Sequence, residues 1–292
     1  MRRGPGKTSQ SPRARSQPRR SYLNAHRLPS QAGRCETCGL SRLDPLPRAG
    51  QLAAHYEQRA ERGNYEPEKA PERAASFRDV LDFAERCGAR RGRVFDVGCF
   101  DGGFDLAAER GWEGWGLELQ KQAASVAERR HPGRIFSGTV EEFSGIQPQY
   151  FDLITAIGLV EHLRDPRRLF SIAKDGLRRG GLLVIQTPDL RSIPARLLGR
   201  FWPPIAPPEH TYYFDRVTLP LISRRYGLAP VRTRPNVNRL RLSYVHDQFQ
   251  HFGPEFHRLL GPLMGVLPQG LKGARVPLYG GEILFAAVRV SG

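Results

Sequence analysis

The sequence predicts an α/β fold: a doubly wound sheet whose two faces are covered by helices. Short apolar segments typical of buried strands alternate with amphipathic segments of helical period. A glycine-rich turn connects the first strong strand segment to the next helix, and the last segment, EILFAAVRV, follows a Gly-Gly turn. Such an alternation is typical of a parallel sheet with crossover helices.

Each element follows from its residue pattern. Strands are predicted over 93–97, 114–119, 134–137, 151–157, 181–187, 229–234 and 282–290. Helices are predicted over 51–62, 71–87, 104–110, 121–130, 166–177 and 218–226. Two stretches, 191–215 and 237–280, interrupt this order, and the first is rich in proline and aromatic residues. We expect both to be insertions that build a substrate pocket or a lid.

The N-terminal part differs in composition from the rest of the chain. Residues 1–34 are rich in Arg, Pro, Ser and Gln, which predicts a disordered basic tail. A mitochondrial transit peptide has a similar composition, but we favour a disordered extension or a misplaced start codon. Residues 35–72 form an extension with a Cys-x-x-Cys motif and a helix, and residues 73–292 form the main domain.

Composition narrows the class of protein. The 292 residues contain no apolar run near the roughly 18 residues of a membrane-spanning helix. Four cysteines are too few for a disulfide scaffold at this length, and no secretory leader is visible. We therefore expect a reducing, cytoplasmic location.

The charge is strongly positive but unevenly placed. The formal net charge is +16, and nine Lys or Arg lie in residues 1–34, which contain no acid. More than half of the excess positive charge thus belongs to the tail. Only five of the 45 basic residues are Lys, and genome composition can produce such a bias towards Arg. Nucleic acid is therefore not the expected partner, although the tail could hold RNA or anionic lipid weakly.

The turn after the strand at 93–97 carries the clearest chemical signal. Gly98 and Gly102 allow a ligand to approach the backbone, and Glu118 ends the next strand, where a carboxylate can accept both hydroxyls of a ribose. The spacing differs from the G-x-G-x-x-G fingerprint, and Asp96 precedes the turn. A carboxylate there repels a pyrophosphate but suits an ammonium group. We therefore predict S-adenosylmethionine, rather than NAD, as the cofactor.

Several further segments occur in a recognisable order. They are Gly138-Thr139-Val140-Glu141-Glu142, Phe151-Asp152-Leu153-Ile154, Leu159-Val160-Glu161-His162-Leu163-Arg164-Asp165-Pro166, Leu177-Arg178-Arg179-Gly180-Gly181 and Pro208-Glu209-His210-Thr211-Tyr212-Tyr213-Phe214. Together with the turn, they resemble the class I S-adenosylmethionine-dependent methyltransferases, of the group similar to the ubiquinone-type small-molecule enzymes. The resemblance covers roughly 35–290. It implies a Rossmann-like, seven-stranded sheet, mostly parallel, with an antiparallel last strand.

The resemblance also implies site residues. The cofactor-binding residues would be Asp96, Gly98, Cys99, Gly102, Phe104, Glu118, Leu119, Thr139, Val140 and Ile157. Three residues depart from the family pattern. Phe100 replaces a usual Gly, which alters one close backbone approach. Thr139 stands where many relatives carry an acid for the adenine amino group, and Arg179 replaces a Pro.

Two histidines are candidate catalytic residues. His162 follows the fourth strand of the resemblance, and His210 lies in the aromatic insertion. Either could act as general base, and either could instead be a structural histidine that fixes its loop. Trp202, Tyr212 and Tyr213 suggest an apolar or aromatic acceptor.

The Cys35-x-x-Cys38 pair resembles half of a zinc ribbon. Some relatives carry two such pairs, but the first is missing here and only His26 lies nearby. A degenerate remnant is the favoured interpretation, so no metal site is predicted.

The expected function is methyl transfer to a small-molecule acceptor, with oxygen the favoured target atom. Two alternatives stay open: methylation of RNA or protein, and a non-catalytic binding protein that keeps the fold. The oligomeric state is not predicted.

Overall fold

The computed structural model describes residues 32–48, 70–101, 103–207, 209–243, 246 and 254–290. A seven-stranded sheet with the order β5-β4-β3-β6-β7-β10-β9 forms its centre. The strands of this sheet are β3 (Arg93–Val97), β4 (Glu113–Glu118), β5 (Ile135–Ser137), β6 (Phe151–Ile157), β7 (Leu177–Pro188), β9 (Leu228–Arg241) and β10 (Arg275–Arg289). Strand β10 pairs antiparallel with both of its neighbours, as predicted for the last strand.

Helices cover both faces of the sheet. They are α1 (Ala70–Arg86), α2 (Phe104–Glu109), α3 (Lys121–Arg130), α4 (Arg167–Gly176), α5 (Ile193–Leu198), α6 (Thr218–Arg225), α7 (Pro254–Val266) and α8 (Gln269–Lys272). Side chains alternate between two cores along each strand. In β3, Val94 packs into the core that contains α1, and Phe95 packs into the core that contains α4. This two-sided burial explains why the strands are continuous apolar runs.

The predicted elements lie close to the observed ones, with two differences in length. Strands β9 and β10 continue to Arg241 and from Arg275, so both extend into the stretch 237–280 that was expected to be an insertion. Strand β7 begins at Leu177, four residues before the predicted start, because a Gly180-Gly181 turn is incorporated into it. The helix predicted over 51–62 lies outside the described residues.

A second, small sheet was not predicted. It consists of β1 (Ala32–Arg34), β2 (Ser41–Leu43) and β8 (Tyr212–Tyr213), in the order β1-β2-β8. The tail was expected to be disordered through residue 34, and this is wrong for Ala32–Arg34, which pairs with β2. Residues 1–31 lie outside the described part of the chain. The small sheet joins the N-terminal extension to the aromatic insertion.

Among the described residues, no helix is both long and apolar enough to cross a membrane.

Candidate functional site

The glycine-rich turn lies between β3 and α2, at the carboxyl edge of the sheet. Gly98 has a φ of +80°, and a Cβ there would lie 3.1 Å from Cδ1 of Leu159. Strand β3 lies between β4 and β6 in the sheet, so the order of the strands along the chain reverses at β3. Open α/β sheets bind ligands at such a reversal.

Phe100 adopts a backbone conformation that favours glycine. Its φ is +51°, in the left-handed region. The ring lies outside the core, with the guanidinium carbon of Arg73 4.4 Å from its centroid. Arg73 also donates to Asp101 in the same turn, at 2.7 Å. The bulky residue is thus accommodated by pointing the ring away from the turn, towards α1.

Two buried carboxyls flank the turn. Asp96, 5% exposed, accepts a hydrogen bond of 2.6 Å from the Thr155 hydroxyl, and burial raises its pKa to about 7. Glu118, 8% exposed, accepts the backbone N–H groups of Phe100 at 2.8 Å and Gln120 at 2.7 Å. Burial raises the pKa of Glu118 as well. Both groups therefore favour a ligand with positive charge or hydroxyl donors.

The other predicted cofactor-binding residues differ in how far their side chains are exposed. Leu119 is half exposed beside Glu118, Ile157 is half-buried at the end of β6, and Cys99 and Val140 are buried. Gly102 lies outside the described residues.

Two of the predicted side chains are occupied in supporting roles. The ring of Phe104 is 1% exposed and packs in the core with Phe77, so its side chain supports the turn from below. The hydroxyl of Thr139 bonds to the side chain and backbone N–H of Glu142, at 2.8 and 3.1 Å, and so caps its own turn.

The two candidate histidines meet, although they are far apart in sequence. The backbone of Thr211 and Tyr212 donates to the carbonyl oxygen of Glu161, at 2.8 and 3.1 Å. This pairing places the rings of His162 and His210 edge to face, with centroids 4.5 Å apart.

Both imidazoles are held by backbone carbonyl oxygens. Nδ1 of His162 lies 3.1 Å from the carbonyl oxygen of Glu209, and Nδ1 of His210 lies 2.6 Å from that of Pro204. A carbonyl oxygen only accepts, so each Nδ1 carries the proton and each Nε2 carries the lone pair in the neutral ring. Burial lowers the pKa of His210, which keeps it neutral at pH 7.

Glu161 completes the cluster. It is 3% exposed, accepts a hydrogen bond of 2.9 Å from the Thr187 hydroxyl, and burial raises its pKa to about 8. Ligand atoms of Glu161, His162 and His210 all lie within 4.8 Å of one another, close enough to reach one divalent cation.

The aromatic residues predicted to bind substrate surround this cluster. Tyr212, Tyr213 and Trp202 line a crevice together with Glu161 and His210, and this crevice is closed, with no room for a water molecule. Trp202 is 1% exposed, and its indole N–H donates to the Gly280 carbonyl oxygen at 2.9 Å, so it also anchors the insertion to β10. The Tyr213 hydroxyl is buried with no hydrogen-bond partner among the described residues.

One polar group near the site was missed in the sequence. Glu282 accepts hydrogen bonds from the side-chain amides of Gln186, Asn236 and Asn238, at 2.9, 3.2 and 2.9 Å. Its charge contributes to the raised pKa of Glu161. The available signal was an acid at the start of the apolar segment EILFAAVRV.

Comparison with known proteins agrees with this geometry. A family model described as a methyltransferase domain matches residues 68–233, more than half of the chain. The ubiquinone biosynthesis O-methyltransferase of Idiomarina loihiensis is 33% identical over 114 residues, which are 37% of this chain and 46% of that protein. The enzyme of the same name from Klebsiella pneumoniae (ATCC 700721) is 34% identical over 116 residues, which are 36% of this chain and 46% of that protein. The match thus spans about half the length of these curated relatives.

Solved structures show the same fold at low sequence identity. The Haloferax volcanii protein solved in complex with the Trm112 methyltransferase activator has a TM-score of 0.53 and 13% identity, over 77% of this chain and 97% of that chain. The YcgJ protein of Bacillus subtilis has a TM-score of 0.50 and 15% identity, over 74% of this chain and 100% of that chain.

Proposed function

The chain belongs to the methyltransferase-domain family, and we propose that it transfers a methyl group from S-adenosylmethionine to a hydroxyl oxygen of a small-molecule acceptor. The observation that carries the proposal is the position of the His162–His210 pair. His162 lies in the loop that follows β6 and contacts the ring of His210 from the aromatic insertion. The same loop carries Leu159, which packs on Gly98 of the cofactor turn. A proton acceptor and a cofactor site therefore share one edge of the sheet.

The cofactor would be held by charge and hydrogen-bond complementarity. Glu118 ends β4 and is fixed by two backbone N–H groups, so its remaining lone pairs can accept the ribose hydroxyls. Asp96 is fixed by Thr155 and suits the ammonium group of the methionine moiety. Binding of that cation would stabilise the ionised form of Asp96 against its burial.

The chemical step needs alignment and one proton acceptor. S-adenosylmethionine would supply the methyl group: attack by the acceptor oxygen on the methyl carbon would break the carbon–sulfur bond and give S-adenosylhomocysteine and a methyl ether. The hydroxyl proton passes to Nε2 of His210, which lines the crevice. His162 packs edge-on against His210 and holds the ring in place, so it acts as a positioning residue.

The acceptor would be at least partly aromatic. The crevice must open to admit an acceptor, and its aromatic walls, formed by Trp202, Tyr213 and Phe214, would then favour a flat apolar ring. The buried Tyr213 hydroxyl adds a donor that a polar substituent of the ring can satisfy. Phenolic compounds are therefore the first acceptors to test.

Calorimetric titration with S-adenosylmethionine tests the cofactor site. Asp96→Asn and Glu118→Gln are expected to weaken binding at least about tenfold each, because each removes a charge-assisted contact. Glu113→Gln is the matched control, since Glu113 lies exposed at the other end of β4. Absence of binding to the wild-type chain would favour the non-catalytic alternative.

Assays with phenolic acceptors test the catalytic assignment. His210→Asn is expected to lower kcat by about a hundredfold or more while cofactor affinity stays unchanged. A chelator separates the two uses of the cluster. Activity that survives chelation supports the general base, whereas a loss restored by Mg²⁺ or Zn²⁺ would assign Glu161, His162 and His210 to a cation.

A further inference from the structure

An apolar stripe runs along the outside of α5 and the 3₁₀ turn that follows it. Its members are four residues apart and face outward: Ile193 is 67% exposed, Leu197 81% and Phe201 64%. Leu198, 47% exposed, widens the stripe. A single exposed leucine is ordinary in a folded protein, but several large apolar side chains on one contiguous face mark an interaction surface.

The opposite side of the same segment is anchored in the protein. Ser192 caps α5 by accepting the backbone N–H of Ala195 at 3.1 Å, and both residues are buried. At the other end, the buried Trp202 donates to the Gly280 carbonyl oxygen. The polar cap and the indole thus face inward, and they hold the apolar stripe outward.

Arginines border the stripe on the same segment. Arg196 and Arg200 are exposed and lie four residues apart, and the guanidinium carbon of Arg200 lies 4.8 Å from the centroid of the Phe201 ring. Residues 190–207 contain no acid. An exposed apolar stripe bordered by cations is typical of a segment that lies in the interface of an anionic membrane.

We propose that the stripe docks this protein on a lipid surface that contains anionic headgroups. The apolar side chains would enter the boundary between headgroups and acyl chains, and Arg196 and Arg200 would contact the lipid phosphates. Charge disfavours a second copy of the chain as the occupant, because a two-fold contact would bring the arginines of both copies together. Residues 193–201 are too few to span a bilayer, so the docking is interfacial.

Cosedimentation with lipid vesicles tests the proposal. It needs no activity assay, so its outcome does not depend on the methyl-transfer assignment. The full chain is mixed with phosphatidylcholine vesicles with and without about 30% phosphatidylglycerol. Binding to the anionic vesicles is expected to be at least about tenfold tighter, and to weaken as the salt concentration rises.

Variants separate the stripe from the basic residues in 1–34, which also attract anionic lipid. Leu197→Asp is expected to weaken binding to anionic vesicles at least about tenfold, because it places a charge at the acyl boundary. Leu271→Asp is the matched control and should leave binding unchanged, since Leu271 is a half-exposed leucine of α8, outside the stripe.

A second pair of variants tests the contribution of charge. Arg196→Gln is expected to weaken binding to anionic vesicles about fivefold and to leave binding to phosphatidylcholine unchanged. Arg129→Gln is its control, because Arg129 is an exposed arginine in the last turn of α3.

Fluorescence quenching locates the contact on the stripe. The three native tryptophans are all buried. Lipids with brominated acyl chains should therefore quench the Leu197→Trp variant much more strongly than the wild type.

Three results would overturn the proposal. One is the absence of binding to anionic vesicles by a correctly folded chain, as judged by circular dichroism. Another is equal binding by the wild type and Leu197→Asp, which would place the contact outside the stripe. The third is a dimer that Leu197→Asp abolishes without any change in vesicle binding, which would assign the stripe to a second copy.

Discussion

Asp96 links the cofactor site to the stability of the fold. Burial raises its pKa to about 7 from an ordinary value of 3.8, so the native state holds a proton that the unfolded state has lost between these values. The free energy of unfolding therefore falls as pH rises from about 4 to about 7 and then levels off. Three pKa units at about 1.4 kcal/mol each set an upper limit of about 4 kcal/mol on this loss.

Asp96→Asn removes this titration while keeping an oxygen that accepts the Thr155 hydroxyl. We expect the variant without cofactor to be more stable than the wild type at pH 8, by about 2–4 kcal/mol, and its stability to depend less on pH. Denaturant unfolding at pH 5, 6, 7 and 8 measures the stability difference between the two proteins and its dependence on pH. Parallel pH profiles for the two proteins would contradict this account.

Phe100 tests whether the unusual backbone of the turn stores strain. Phe100→Ala removes the ring and its contact with Arg73 but keeps a Cβ at a φ of +51°. Phe100→Gly removes the ring and the Cβ. Since the left-handed region disfavours any Cβ, we expect the Gly variant to be about 1 kcal/mol more stable than the Ala variant. At positions with a negative φ, an Ala variant is more stable than a Gly variant. If Phe100→Ala is more stable than Phe100→Gly, the turn therefore stores no strain. Thermal unfolding of the two variants measures which of them is more stable.

At the scale of elements, β4 depends on the absence of side chains beneath the cofactor turn. A Cβ on Gly116 would lie 2.4 Å from Sγ of Cys99 and 3.0 Å from Cζ of Phe104. Gly116→Ala is therefore expected to lower the free energy of unfolding by about 2–3 kcal/mol and to weaken cofactor binding, because Cys99 must move.

The matched control for that substitution lies in α7. A Cβ on Gly265 meets nothing within 4 Å beyond its chain neighbours, so Gly265→Ala should leave stability unchanged or raise it by up to about 1 kcal/mol. Urea unfolding compares the two variants. Equal effects would show that the crowding under β4 is relieved at no cost.

The elements that could be predicted are those with a local signal. The strands β3, β6 and β7 are apolar runs because both of their faces are buried, and α4 carries a helical stripe. The small sheet could not be predicted, since β8 has two residues and pairs with β2 about 170 positions earlier in the chain. The ends of β9 and β10 that lie in the stretch 237–280 pair without apolar alternation, so the sequence predicts an insertion there and not an extension of the two strands.

The same limit applies to the site. Asp96 and Glu118 were found because their spacing around one turn is local. His162 and His210 were each singled out, but their contact depends on backbone pairing between Glu161 and Thr211, which no sequence period encodes. The burial of Glu161 and the amide donors around Glu282 also depend on tertiary packing alone.

At the scale of the whole molecule, three distant parts of the chain complete the acceptor crevice. They are the loop after β6 and the aromatic insertion, which line the crevice, and the middle of β10, to which the insertion is anchored. Trp202 joins the last two, through its hydrogen bond to Gly280 and a packing so close that a Cβ on Gly281 would lie 2.9 Å from its ring. Trp202 therefore ties the insertion that carries His210 to β10, in addition to the backbone pairing of Thr211 and Tyr212 with Glu161.

Trp202→Phe keeps the apolar packing and removes the hydrogen bond to β10. We expect a loss of stability of about 1 kcal/mol and a severalfold rise in KM for the acceptor, with cofactor affinity unchanged. Trp112→Phe is the matched control, because Trp112 is equally buried and donates to Glu85 at 3.2 Å beside the amino end of β4. Its loss of stability should be similar, but the KM should not change, since that edge of the sheet is remote from the crevice. If both variants raise the KM equally, the effect reflects general loosening of the fold, and the insertion is not positioned through Trp202.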